Sequence, residues 1–162
     1  PASQGTLTLL VSGEKTAYEC VLPLLNKIGK TIFYLEQPSK ATKMKLINNL
    51  VLGIFMAGIG EAVAFAEKAG ISKETAIDIL ASGAGSSGIL NAQRDKVLKE
   101  DFSTHFSTAL IYKDLHCLQD LANNIKKPLL VGSLVKEIFA TTFGKNMSDL
   151  DFSAIYKIFK DM

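Results

Sequence analysis

The run LVLGIFMAGIGEAVAFA, from Leu50 to Ala66, carries one charge, Glu61. A membrane-crossing helix needs roughly 20 consecutive apolar residues, and this run is shorter and interrupted. The other way to shield such a stretch from water is a protein core, so the run predicts a helix buried on every side. Any fold for the chain must be built around it. Glu61 would then be a buried carboxylate in need of hydrogen-bond partners, which reads first as a structural acid and otherwise as a site residue.

The 162-residue length suits one domain, or one domain with a fragment of another. With 48% hydrophobic and 21% charged residues the chain is globular in character rather than disordered. Eighteen basic residues against 16 acidic ones leave only +2, and the lysines are scattered, so no nucleic-acid footprint is expected. The opening PASQGTLTLL lacks an initiator methionine, a basic segment and an apolar signal segment, and reads as a piece of something longer with no secretory signal. Cys20 and Cys117 stand far apart with no ligand spacing around either; both are expected as buried thiols in a reducing, cytoplasmic setting, with no metal site. His105 and His116 likewise stand alone and receive no role.

TLTLLVS (6 to 12) and TIFYLE (31 to 36) read as strands. Between them Ala17, Val21, Leu24, Leu25 and Ile28 recur at helical spacing, with Gly29 as the expected C-cap. This is a β-α-β segment. From Ser39 onward the apolar residues recur at three and four, predicting helices near 40 to 69, 73 to 82, 88 to 99, 108 to 125, 129 to 143 and 151 to 161. Gly70 closes the first, Ser72 caps the second, and Asp149 or Asp151 caps the last. The expected fold class is mainly α, with a boundary near Pro38: a short α/β portion over 1–38 and an all-helical portion over 39–162.

Gly83, Gly85 and Gly88 match the spacing G-x-G-x-x-G of a dinucleotide-binding loop. That fingerprint works when a strand ends in a tight glycine turn at the N-terminus of a helix. Here the glycines follow SKETAIDILAS, where Ala76, Ile77 and Leu80 share a helical face, and Glu100 and Asp101 follow RDKVLK rather than an apolar second strand. A helix-to-helix turn is the better reading.

Two polar side chains at the start of the apolar helix are more informative. Lys45 and Asn49 lie four apart and share a face. A lysine beside an amide suits a carbonyl or hydroxyl substrate, the lysine exchanging a proton and the amide orienting the oxygen, and desolvation would tune the lysine for that task. On spacing alone a snorkelling lysine and a locally bonded asparagine are the commoner arrangement. Lys113 and Asp114 interrupt a helix bearing Leu110, Leu115 and Leu118, and by themselves read as a solvent-facing charge pair.

Taken in order, GTLTLLVSG, KLINNL, EAVAFAEKAGIS, SGAGSSGIL, DFSTHFSTALIYKDL and DLDFSAIYKIF resemble the C-terminal part of the β-hydroxyacid dehydrogenases. The resemblance covers nearly the whole chain and implies a helical dehydrogenase C-terminal domain preceded by the last β-α-β of a Rossmann domain. It implies Lys45 as the catalytic general acid or base and Asn49 as a substrate contact. It places Phe106, Lys113 and Asp114 by the nicotinamide end of NAD or NADP. A glycine turn close to the Lys45 face would let Ser86 or Ser87 touch substrate. The implied substrate is a small hydroxyacid or its semialdehyde, and the implied assembly a homo-oligomer. The rest of the Rossmann domain, with the pyrophosphate site, would precede Pro1, leaving this fragment inactive alone. Ser39 and Ala41 stand where the family usually has a G-x-G. A non-catalytic relative using the same scaffold for oligomerisation or ligand binding is the alternative.

Overall fold

The computed structural model describes residues 4–162, which form two compact units that divide between Asn48 and Asn49. In the first, β1 (Leu7–Val11) and β2 (Gly29–Tyr34) pair in parallel, with Leu9 opposite Ile32 and Val11 opposite Tyr34. Parallel strands require a crossover, and α1 (Lys15–Ile28) supplies it. The turn from β1 into α1 is made at Gly13, whose φ of 140° favours glycine. Its N–H donates to the Glu36 carbonyl at 2.7 Å, and its own carbonyl accepts the Tyr34 hydroxyl at 2.7 Å.

Gly29 is the C-cap that the sequence predicts, its N–H donating to the Leu25 carbonyl, but its backbone is not left-handed. It is extended, at φ −131°, and opens β2 two residues earlier than expected. Its lack of a side chain serves close approach: a Cβ there would lie 2.6 Å from Leu9 Cδ1 and 3.0 Å from the Leu7 carbonyl oxygen. The apolar face of α1 is present but uncovered, with Leu24 65% exposed.

In the second unit the helices are the ones the periodicity predicts. The helix α2 (Lys40–Lys68) comes first; α3 (Lys73–Ser82), α4 (Gly88–Lys99), α5 (Thr108–Asn124) and α6 (Leu130–Ala140) follow. Ser72, Ser87 and Ser107 each accept a backbone N–H three residues on, capping α3, α4 and α5. Past α6 the chain tightens into 3₁₀ turns at Phe143–Lys145 and Phe152–Ala154 before the short α7 (Ile155–Lys160), where the sequence predicts longer helices. Asp151 rather than Asp149 is a cap, but of the 3₁₀ turn Phe152–Ala154, where it accepts the Ser153 N–H; α7 has no side-chain cap.

Burial on every side of α2 is not observed. Asn49, Gly53, Met56, Gly60 and Val63 form the buried stripe, while Val51 and Phe55 are almost half exposed and Phe65 is 74% exposed. Glu61 is exposed and has no burial to offset. Within the second unit only one face of α2 is covered: Gly53 meets Ile111 and Leu115 of α5, Leu50 packs by Gly132 of α6, and a Cβ at Gly60 would lie 3.2 Å from the Tyr156 backbone. By length and apolar content α2 could cross a bilayer, yet 44% of its most apolar window is buried inside the chain.

One electrostatic clasp ties the ends of three helices. Glu100 Oε1 accepts from Lys73 Nζ at 2.7 Å and Lys160 Nζ at 2.6 Å, and both ammonium groups lie over the Tyr156 ring, 5.0 and 5.6 Å from its centroid. These hydrogen bonds hold the Glu100 carboxyl at about 2. The Tyr156 hydroxyl donates to Glu67, and burial with that carboxylate pushes the phenol well above its ordinary range. Neither cysteine is buried: Cys20 lies on a helix with no buried residue, and Cys117 faces outward beside buried Leu118.

Candidate functional site

Lys45 sits near the start of α2 and is exposed. With Thr8, Leu10, Phe33, Leu35, Met44 and Asn48 it lines a groove of about 500 Å³ in the first unit. The burial that the sequence reading asks of this lysine is therefore not supplied by the first unit. Asn49 follows one turn later on the same unbroken helix, which sets the two side chains on one face.

Asn49 is 8% exposed, and its Nδ2 donates to Asp114 Oδ2 at 2.6 Å. Asp114 is itself 3% exposed, so the Lys113–Asp114 pair is not solvent-facing as a whole. Lys113 reaches outward, its side chain 60% exposed, with Nζ 3.4 Å from Asp114 Oδ1. The sequence held the signal for this: Ile111, Asp114, Leu115 and Leu118 are spaced three, one and three apart, placing the aspartate on the apolar stripe of α5. The structure thus brings Asn49, Lys113 and Asp114 together.

Phe106 belongs to the loop before α5, half-buried and edge-on to Phe152 with ring centroids 5.7 Å apart. Asp151 fixes that loop. Its fully buried carboxylate accepts the N–H groups of His105 at 3.0 Å and Phe106 at 3.3 Å and the Ser153 hydroxyl at 2.7 Å, with Lys96 Nζ 3.6 Å away. Burial alone would raise this carboxyl, but the hydrogen bonds from Ser153, His105 and Phe106 outweigh it and hold the group below the usual carboxylate range. The sequence offered Asp151 only as a helix cap; a single acid at a loop gives no sign of donors 45 and 46 residues away.

Ser87 spends its hydroxyl on the α4 cap, accepting the Leu90 N–H at 3.1 Å. It also borders a groove of about 410 Å³ with Phe55, Gly58, Ala62, Leu80 and Gly85. The glycines before it form a helix-to-helix turn between α3 and α4, and none of Gly83, Gly85 and Gly88 takes a positive φ.

A dinucleotide needs amides or cations for its pyrophosphate and a wall for its nicotinamide. At the strand-turn-helix around Gly13, Glu14 and Glu36 line a groove together with Lys15, and after burial Glu36, Glu14 and Glu19 help to raise the Tyr34 hydroxyl above its ordinary range. Phe106 and the outward amine of Lys113 suit the second, as an aromatic surface and a cation.

The comparisons give the class to which this helical fold belongs. Residues 39–159 match the model for the NAD-binding domain of NADP-dependent 3-hydroxyisobutyrate dehydrogenase, and residues 1–36 that for the NAD-binding domain of 6-phosphogluconate dehydrogenase. The chain belongs to the 3-hydroxyisobutyrate dehydrogenase family, the β-hydroxyacid dehydrogenases. It is 31% identical to glyoxylate/succinic semialdehyde reductase 1 of Arabidopsis thaliana over 99% of this chain and 55% of that protein. It is 32% identical to the human cytokine-like nuclear factor N-PAC over 98% of this chain and 29% of that protein. Among solved structures it superposes with TM-score 0.93 and 27% identity on 3-hydroxyisobutyrate dehydrogenase from Salmonella typhimurium, covering 98% of this chain and 56% of that one. Psf3 in complex with NADP+ and 2-OPP matches with TM-score 0.83 and 26% identity, covering 97% and 55%. The chain therefore spans between 29% and 56% of these relatives' lengths.

Proposed function

We propose that this chain is the C-terminal part of an NAD(P)-dependent oxidoreductase that interconverts a small β-hydroxyacid and its semialdehyde or keto acid. Residues 1–38 would be the last β-α-β of its dinucleotide-binding domain and residues 39–162 its helical substrate and dimerisation domain. The observation that carries the reading is the placement of Lys45 and Asn49 on one face of α2, with the Asn49 amide held at 2.6 Å by buried Asp114. Polar side chains gathered this way at the start of an apolar helix suit an oxygen-bearing substrate.

A nicotinamide bound to the whole protein would supply or accept the hydride at the substrate carbon. In reduction the Lys45 ammonium gives its proton to the carbonyl oxygen as that oxygen becomes a hydroxyl; in oxidation the neutral amine takes it back. Asn49 orients the same oxygen. Phe106 and Lys113 would bound the nicotinamide end, Asp114 would complete that cluster, and Ser87 lies at the turn offered as a further substrate contact. The exposed stripe Val51, Phe55 and Phe65 on α2 supports self-association, since apolar patches on one helix face usually find a partner. The unpaired, exposed cysteines accord with a reducing cytoplasm.

In the full-length protein, Lys45→Ala should lower kcat by about 10²- to 10⁴-fold, the range for losing a positioned acid or base, when semialdehyde-dependent oxidation of NAD(P)H is followed. The second reading, a non-catalytic relative, draws on the resemblance to a protein named as a nuclear factor. Unchanged turnover in Lys45→Ala would remove the catalytic assignment and favour that reading.

A further inference from the structure

We infer that Asp151 is a positioning residue for Phe106: through the backbone of the loop 100–107 it fixes where the Phe106 ring stands, and so how tightly the nicotinamide end of a dinucleotide is held. The inference rests on the reading of Phe106 given above.

The segment 100–107 joins α4 to α5 with no helix of its own. A free loop would let its aromatic ring sample many places, and a ligand would have to order it at an entropic cost. Here the consecutive residues Asp151 and Phe152 grip Phe106 at three points. Asp151 Oδ2 accepts the Phe106 N–H at 3.3 Å, the Phe152 N–H donates to the Phe106 carbonyl at 2.8 Å, and the Phe152 ring meets the Phe106 ring edge-on. Phe152 is buried, so the grip belongs to the packed interior, while Phe106 stays half-buried.

The two oxygens of the carboxylate divide the contacts. Oδ1 accepts the Ser153 N–H at 3.2 Å and the Ser153 hydroxyl at 2.7 Å, which serves the 3₁₀ turn. Oδ2 faces the loop: it accepts the His105 and Phe106 N–H groups, with the Lys96 ammonium 3.6 Å away. Lys96 also donates to the Ser103 carbonyl, which ties a second point of the loop to the same charge pair. All of these groups donate, and a carboxylate accepts on both oxygens. An asparagine of the same shape would turn an NH₂ edge toward one set of donors, and it would lose the charge that strengthens the bonds. Capping the turn needs Oδ1 alone; the bonds from Oδ2 to the loop are what capping does not explain.

The test is a double-mutant cycle on the full-length protein, with dissociation constants of NADH and NADPH measured at equilibrium. Asp151→Asn should weaken binding of the nucleotide about tenfold, the change expected for one hydrogen bond, and Phe106→Ala about as much. The double variant should bind within about twofold of Phe106→Ala alone, because the ring through which Asp151 acts is already gone. Losses that multiply, to about a hundredfold, would mark Asp151 as merely structural and overturn the proposal. So would an Asp151→Asn protein that binds as the wild type does. Ser153→Ala, which removes one bond to Oδ1 and leaves Oδ2 untouched, should stay within about twofold of the wild type, and a tenfold loss there would likewise overturn it. A measurement on the wild type alone covers a variant that fails to fold: the His105 and Phe106 backbone N–H groups, followed by NMR, should exchange slowly with solvent although His105 is exposed, and fast exchange overturns the positioning. If the wild type binds neither nucleotide, the dinucleotide reading fails by itself, while amide exchange still decides whether Asp151 holds the loop.

Discussion

The two compact units are held together by different physics. Among the described residues of Pro1–Asn48, the single buried one is Gly29, and α1 has no buried side chain at all. In Asn49–Met162, Met56, Ile77, Ile111, Phe139, Ile155 and Tyr156 are each essentially inaccessible. The first unit relies on a backbone ladder and one close approach, whereas the second has a packed interior. A β-α-β segment with one pair of strands has too little surface to enclose a core, but helices crossing a long apolar helix can enclose one.

Truncation of a core side chain gives the sharpest contrast. Phe139→Ala should destabilise the second unit by about 3–5 kcal/mol, whereas Leu24→Ala on the exposed face of α1 should cost under about 1 kcal/mol in this chain. Urea unfolding of both variants checks the pair, and equal losses would erase the distinction. Next in size, Gly29→Ala should cost about 1–3 kcal/mol, because the new methyl would overlap Leu9 and press on the Leu7 carbonyl. Helix and sheet signals in circular dichroism during melting would locate that loss; a melt like the wild type's would mean that the strands can part without cost.

The smallest effect concerns the clasp around Glu100. Its carboxyl is lowered in the folded state from the ordinary 4.5 to about 2, first by the Lys160 hydrogen bond and then by that of Lys73. The stability it contributes is therefore fully present above 4.5 and is lost as pH falls toward about 2. Glu100 is one-third exposed, so solvent screening leaves about 1 kcal/mol at neutral pH. Glu100→Gln should remove that increment at pH 7 and little of it near pH 2; the test is the difference in unfolding free energy at the two pH values. The same difference at both would show that the clasp acts through packing rather than charge.

Much of this arrangement was legible in the residues. Helix limits followed from apolar spacing and from Ser72, a cap whose local hydrogen bond needs no distant partner. The glycines at 83, 85 and 88 were separable from a cofactor loop because a helical pattern, not a strand, precedes them. Lys45 and Asn49 were legible as a pair because i and i+4 share a face in any helix. Burial was harder to read. The run around Glu61 is apolar all round, yet which face finds cover depends on where α5, α6 and α7 cross it. The cysteines were misplaced for the same reason, since a residue type's tendency to be buried does not say which face it occupies.

By itself, then, the sequence determined the order and type of the elements and the candidates Lys45 and Asn49. These depend on spacing and capping, which act over a few residues. Only the tertiary structure decided that Asp114 turns inward to hold Asn49, that Asp151 gathers the Phe106 loop, and that α2 buries one stripe and shows another. Each of those joins residues tens of positions apart, and what links them is the packing of helices whose crossing points no local pattern records.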